Sequence, residues 1–278
     1  MSSDTHRMSS DTQDLNVKVE RTRRNILKTG FSTGALLGSA GLVGSAVLTR
    51  KAHALPCATA VGCRCFLKGT YIQTAEGERK VEELATGDLL PTMFGGIRPI
   101  QWIAHYPIKK SDPSKPWPKD ARPVRIARSA LAPNVPQADL YVTQAHGAFI
   151  DGVLVSAGYL VNGTTITLCD MSQSNELEFF HVKLETHDVI YAERAAVETF
   201  LNVDESAVNF ADYFRMYGVP TSDEAPCLPM LANWRPSGLK SRVNSAVSWN
   251  DRRRRIAMIR DRLKHRAIAL SQELEPSA

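Results

Sequence analysis

Cys65-Phe66-Leu67-Lys68-Gly69-Thr70 and, much further on, Thr143-Gln144-Ala145-His146 are the stretches on which the reading of this chain turns. The first places a thiol at the entrance to a run of short apolar segments. The second places a hydroxyl and an imidazole three residues apart within the same run. A thiol can attack the carbonyl of the residue before it, here Arg64. A hydroxyl and an imidazole can polarise that carbonyl and protonate the amide nitrogen that leaves. A nucleophile with a proton-transfer partner is the general logic of covalent catalysis, and it requires no cofactor.

Working outward from these stretches, the apolar pattern over 65–201 has the period of strands broken by turns. Residues 70–74 alternate and end in a turn at 75–78. Residues 89–93 read as a strand, followed by Phe94-Gly95-Gly96 and a longer strand over 97–106. Pro113, Pro116, Pro118 and Pro123 make residues 109–123 a loop. Strands resume at 124–127 and 140–142. Asp151-Gly152 and Asn162-Gly163 are the strongest hairpin signals, bracketing apolar runs at 148–150, 153–155 and 165–168. Residues 178–185 and 189–192 complete the series. The expectation is one all-β domain with no helices covering a parallel sheet.

The ordered motifs within that domain resemble the Hint domain shared by hedgehog C-terminal regions and inteins, in its bacterial form. They are Cys65-Phe66 with Gly69-Thr70, residues 81–88 (Val-Glu-Glu-Leu-Ala-Thr-Gly-Asp) and Ile100-Gln101-Trp102-Ile103. Thr143-x-x-His146, Leu160-Val161-Asn162-Gly163 and the region from His181 to Glu198 follow. The resemblance covers roughly half the chain and implies a β horseshoe. It implies that Cys65 Sγ attacks the Arg64 carbonyl, that Thr143 donates to the developing oxyanion and that His146 protonates the departing Cys65 nitrogen. The product is a thioester on Cys65, resolved by water or another nucleophile that the sequence does not identify. His187, with Asp188 beside it, falls in the family's late histidine region; Asp188 can orient an imidazole or cap a turn. Asp88 reads as satisfying a turn backbone and Asn162 as a hairpin residue. Inteins finish with His-Asn, whereas this domain ends Ala195-Ala196-Val197-Glu198-Thr199. Full splicing is therefore not expected; N-terminal cleavage is. The alternative is a catalytically silent exported β-module that binds a partner, distinguished by a mature N-terminus at Leu55 rather than Cys65.

The N-terminus resembles a twin-arginine export signal. Thr22-Arg23-Arg24-Asn25-Ile26-Leu27-Lys28 precedes the weakly apolar residues 30–48, and Ala52-His53-Ala54 supplies a small-x-small cleavage site. Residues 1–54 are thus expected to be a signal peptide engaging the twin-arginine translocase, with the rest exported to the periplasm or beyond. Residues 55–64 form a short segment ahead of the domain, and this N-terminal segment is the substrate of the self-cleavage.

Charge is unevenly placed. The formal net charge is +5, but residues 1–54 and 249–278 each carry eight Lys/Arg against four Asp/Glu, which leaves 55–248 net acidic. The alkaline balance therefore does not argue for a nucleic-acid protein, and no specific nucleic acid is predicted. After an irregular packing segment over 202–248, residues 249–274 read as a helix. Ile256, Ile259, Leu263, Ala267 and Leu270 line one face of it, opposite Arg252–Arg255, Arg260, Arg262, Lys264 and Arg266. That basic face is open to an anionic membrane surface or to plain solvation.

All five cysteines, Cys57, Cys63, Cys65, Cys169 and Cys227, lie beyond the signal. An odd number in an exported chain leaves one unpaired or paired between chains; Cys57–Cys63 and Cys169–Cys227 are open pairings. Zinc is disfavoured because Cys57, Cys63 and Cys65 lack Cys-x-x-Cys spacing and a nearby histidine. No metal or organic cofactor is implied.

Overall fold

Period-two burial runs through the longest strands. In β6 (Trp102–Lys109) Trp102, Ala104, Tyr106 and Ile108 face inward and the residues between them are half-buried or exposed. Its partner β12 (Glu176–Lys183) buries Leu177, Phe179 and His181 in the same rhythm. The two strands pair antiparallel from Glu176↔Lys109 to Lys183↔Trp102. The structure is a computed structural model that describes residues 64–201, 207–218, 227 and 249–274. The signal-peptide reading, Cys57 and Cys63, and most of 202–248 lie outside the described residues.

Two six-stranded antiparallel sheets and a hairpin make the domain. The first sheet runs β11 (Ile166–Leu168), β7 (Val124–Ile126), β8 (Leu140–Val142), β1 (Phe66–Leu67), β12, β6. The second runs β10 (Val153–Ser156), β9 (Gly147–Ile150), β14 (Ala195–Glu198), β13 (Val189–Ala192), β2 (Tyr71–Thr74), β3 (Gly77–Lys80). A hairpin of β4 (Leu89–Thr92) and β5 (Gly96–Pro99) stands apart. The chain changes sheets repeatedly: between β1 and β2, between β3 and β6, between β8 and β9, between β10 and β11, and between β12 and β13. One core joins the sheets through Phe66, Val142 and Val182 on one side and Ile72, Ala148 and Ile190 on the other. The all-β expectation holds.

Three local expectations are corrected. The strand read over 97–106 is two strands, because Ile100 and Gln101 leave the β4–β5 hairpin to start a new pairing: Ile100 N–H donates to Asp88 O and Gln101 N–H to Lys183 O. Asp151-Gly152 makes the expected tight hairpin, both residues at positive φ, with Ile150 opposite Val153. Asn162-Gly163 does not. A short helix α1 (Ala157–Leu160) follows β10, and Asn162 Oδ1 accepts from Thr164 N–H and Ile166 N–H, so its side chain builds a loop rather than a hairpin turn. Residues 210–217, read as irregular, form helix α2 (Phe210–Tyr217), whose buried Tyr213 packs on Trp102 with ring centroids 5.0 Å apart. Phe214, on the same helix, is exposed.

Helix α3 (Trp249–Leu274) follows the expected stripe. Ile259, Leu263 and Ala267 are buried, and the first two belong to the main core. Arg262 pairs with Asp151 at 2.8 Å across the domain surface. The apolar face is thus spent on the β domain, while Arg254, Arg255, Arg260 and Lys264 remain in solvent. Among the described residues no helix is long and apolar enough to cross a membrane. Leu263→Ala should cost about 2–5 kcal/mol, the range for emptying a buried leucine site. Urea unfolding followed by tryptophan fluorescence measures it; an unchanged midpoint would mean that the helix does not belong to the core.

Candidate active site

Cys65 immediately precedes β1, the strand paired with β8 on one side and β12 on the other, so its peptide is held inside a sheet rather than at an edge. Thr143 follows β8 directly opposite. Thr143 N–H donates to Cys65 O at 2.9 Å, and Cys65 N–H donates to Thr143 Oγ1 at 2.8 Å. The second bond puts a side-chain hydroxyl where a strand carbonyl would otherwise sit. The hydroxyl expected to act on the Arg64–Cys65 bond is thus held at the nitrogen of that bond.

The Thr-x-x-His segment is a turn, closed by His146 N–H donating to Thr143 O at 3.1 Å. It carries the chain from the first sheet to the second, and Gly147 begins β9. His146 is buried with its ring 4.4 Å from Phe66 and 5.0 Å from His181, centroid to centroid. Neither ring nitrogen of His146 or His181 makes a well-directed hydrogen bond. Burial drives the His146 pKa down to about 4; the Arg64 cation adds to the depression, while Glu198 and the nearby backbone of Cys65 and Glu198 oppose it. Burial likewise holds His181 well below the usual histidine range. Both imidazoles are therefore neutral at pH 7. The same burial makes His146 a weaker base than an exposed imidazole.

Glu198, at the end of β14, is fully buried and was not singled out by the sequence reading. Its Oε1 accepts from Gly147 N–H at 2.6 Å and lies 3.1 Å from Arg64 Nε; its Oε2 lies 3.3 Å from His187 Nε2. Desolvation raises its pKa, yet the Arg64 cation and His187 outweigh this and hold the group below the usual carboxylate range. His187 Nδ1 accepts Cys227 N–H at 3.0 Å, which assigns the ring proton to Nε2 and directs it to Glu198. A side chain at Gly147 would put its Cβ 2.7 Å from Glu198 Oε1, so glycine here makes room for the carboxylate.

The structure thus brings Cys65, Thr143 and His146 together and adds His187 through Glu198. Asp188 goes elsewhere. Its Oδ1 accepts from Phe94 N–H and Val189 N–H, and its Oδ2 lies 3.9 Å from Arg98, so of the two roles open to it the turn-capping one is built. Asp88 accepts from Ala85 N–H and pairs with Arg79, as a turn residue does. Cys169 and Cys227 are not bridged: Cys169 follows β11 in the first sheet, whereas Cys227 packs with Phe149 and Ala196 of the second. Burial and the nearby Asp188 and Glu198 push the Cys227 thiol up to about 12, which removes it as a thiolate nucleophile. Among the described residues no group of three or more His, Cys, Asp or Glu is arranged to hold a metal ion.

The missed members had a signal. His181 continues the inward series Leu177, Phe179, and Glu198 is an acid closing the apolar run Ala195-Ala196-Val197. A polar group at an inward strand position calls for a partner or a task.

A family model described as the Hint domain matches residues 64–204, just over half the chain. No curated protein matches the chain. Among solved structures, the gp41-1 intein is 13% identical with a TM-score of 0.32, over 48% of this chain and 97% of its own. The DnaB intein of Synechocystis sp. PCC 6803 is 10% identical with a TM-score of 0.33, over 49% and 99%. A bacterial intein-like domain from Clostridium thermocellum is 14% identical with a TM-score of 0.34, over 49% and 96%.

Stability should report the buried imidazole. The folded His146 pKa lies below the unfolded value of 6.5, so its contribution is complete above 6.5 and is lost as pH falls toward about 4. The loss amounts to roughly 3 kcal/mol. Urea midpoints measured from pH 7 to pH 4 should fall accordingly, and His146→Leu should flatten the decline.

Proposed function

Because the chain belongs to the Hint domain family, we propose that its domain breaks its own chain at Arg64–Cys65 by an N-to-S acyl shift, with N-terminal cleavage and no splicing. The observation that carries this reading is the hydrogen bond from Cys65 N–H to Thr143 Oγ1, which fixes the peptide nitrogen that must leave. The neutral His146 imidazole takes the proton of the Cys65 thiol. Cys65 Sγ bonds to the Arg64 carbonyl carbon, and the bond from that carbon to the Cys65 nitrogen breaks. His146 returns the proton to that nitrogen, beside the Thr143 hydroxyl. The result is an Arg64 thioester on Cys65 with a new amine, and proton and charge balance without a metal or an organic cofactor. Water then yields an Arg64 carboxylate and restores the thiol; an external nucleophile would instead carry the acyl group away.

The ending Ala195-Ala196-Val197-Glu198-Thr199 lacks the His-Asn pair that the second cleavage of splicing would use. The substrate is the chain's own N-terminal segment. With a twin-arginine leader ahead of it, the domain would cross the membrane folded and act on that segment before or after export.

The test is intact mass of the full chain before and after incubation with dithiothreitol. Loss of everything before Cys65, faster with thiol, is expected, because a thiol intercepts a thioester but not an amide. Cys65→Ala should abolish the loss and Cys63→Ala should leave it. His146→Ala should slow it roughly a hundred- to ten-thousandfold, and Thr143→Ala roughly ten- to a hundredfold as the nitrogen loses its anchor. The rate should fall as pH drops toward about 4, where His146 becomes protonated. A wild-type chain still intact after prolonged exposure to thiol would sink the proposal in favour of a silent β-module.

A further inference from the structure

The residue ahead of the scissile bond is not held by its backbone alone. Arg64 is 6% exposed, and its Nε lies 3.1 Å from Oε1 of a carboxylate with no exposure at all. That carboxylate belongs to the domain side of the bond. It is fixed there by Gly147 N–H and His187 Nε2, groups that stay behind when the passenger departs. Gly147 is part of the same arrangement, since any β-carbon would strike Oε1. A buried acid, held by two donors and facing the side chain of the acyl residue, is a binding pocket with its occupant in place.

We propose that Glu198 is a specificity-determining residue: the domain selects a cationic side chain immediately before Cys65, and arginine above lysine. The inference rests on the self-cleavage reading above. A buried carboxylate is costly without a partner and rejects a neutral or anionic one, so discrimination comes from the wrong occupant as much as from the right one. Arginine suits the pocket better than lysine because a guanidinium is more weakly hydrated than an ammonium and so loses less on burial beside the carboxylate. Seating the side chain also seats the carbonyl that Sγ must reach, one residue away. Glu198 is thus a positioning residue; it touches the acyl residue's side chain and not the reacting atoms.

The test is a series at position 64 in the full chain, scored by the rate of thiol-induced cleavage. Arg64→Lys should retain most of the rate. Arg64→Gln should be slower by roughly ten- to a hundredfold, the usual cost of misplacing a reacting group by about an ångström. Arg64→Glu, which differs from it only in charge, should be at least about tenfold slower again, since like charges at such contact cost more than about 1.4 kcal/mol. In a Glu198→Gln background the advantage of arginine over glutamine should collapse, a change in ratio that loss of stability alone would not produce. Should the Glu198→Gln chain fail to cleave, the comparison of Arg64→Gln with Arg64→Glu in the otherwise wild-type chain decides. Equal rates for arginine, glutamine and glutamate at position 64, or an undiminished ratio in the Glu198→Gln background, would overturn the selection while leaving self-cleavage standing. A wild-type chain that never cleaves would overturn both.

Discussion

A carboxylate without water governs this domain. Glu198 has lost its hydration entirely, and an ionised acid in such a place persists only if donors and a counter-charge replace the solvent. The fold supplies them from three directions. Gly147 at the start of β9 gives a backbone N–H, His187 ahead of β13 gives a ring N–H, and Arg64 ahead of β1 gives the positive charge. Gly147 belongs to the second six-stranded sheet, as Glu198 does, His187 leads into that sheet, and Arg64 lies in the segment that leads into the first. Satisfying one acid therefore ties the second sheet to the entrance of the first, beside the peptide bond before Cys65.

The neutrality of the two histidines follows from the same burial. His146 and His181 lie ring to ring at 5.0 Å, and a proton on either would face Arg64 and the other imidazole. The site can hold one Arg64 cation against one Glu198 anion, and it disfavours further positive charge. An imidazole in that state is neutral and a weaker base than an exposed one. The thiol at Cys65 is the proton source that the proposed chemistry would present to it, and this orders the proton transfers more firmly than the residue types alone could.

Much of the fold was legible because burial writes itself as period two. The strands at β2, β7, β8, β9, β10 and β13 stand where alternation and turn residues put them, and the α3 stripe from Ile256 to Leu270 is a plain helical repeat. The failures have a common cause. Asn162-Gly163 has the chemistry of a hairpin turn, but a hairpin needs two strands that pair with each other; β10 is committed to β9 and β11 to β7. Ile100-Gln101 is apolar enough to continue a strand, yet its hydrogen bonds belong to Asp88 and Lys183, which no local pattern reveals. In the site, a nucleophile and a Thr-x-x-His are visible as residue types. Their contacts are not: that the Thr143 hydroxyl accepts the Cys65 N–H depends on the register of β8 against β1. Glu198 and Arg64 are 134 positions apart in the sequence, and only the closed fold makes them one pair.

The ion pair also gives the proposed reaction a direction. Before cleavage Arg64 brings a cation to Glu198 and no charge at its carbonyl. Hydrolysis of the thioester would leave a carboxylate on that carbonyl carbon, on the residue whose side chain the buried acid holds. A new negative charge on that residue would be disfavoured in a poorly solvated site beside an ionised acid, and water outside can solvate both the new carboxylate and the guanidinium. The contact that draws the uncleaved residue in is then offset by the charge that cleavage creates. Under the proposed reaction such a site would hold its substrate and release its product without a moving part, because the chemistry itself would change the electrostatics at the residue the pocket grips.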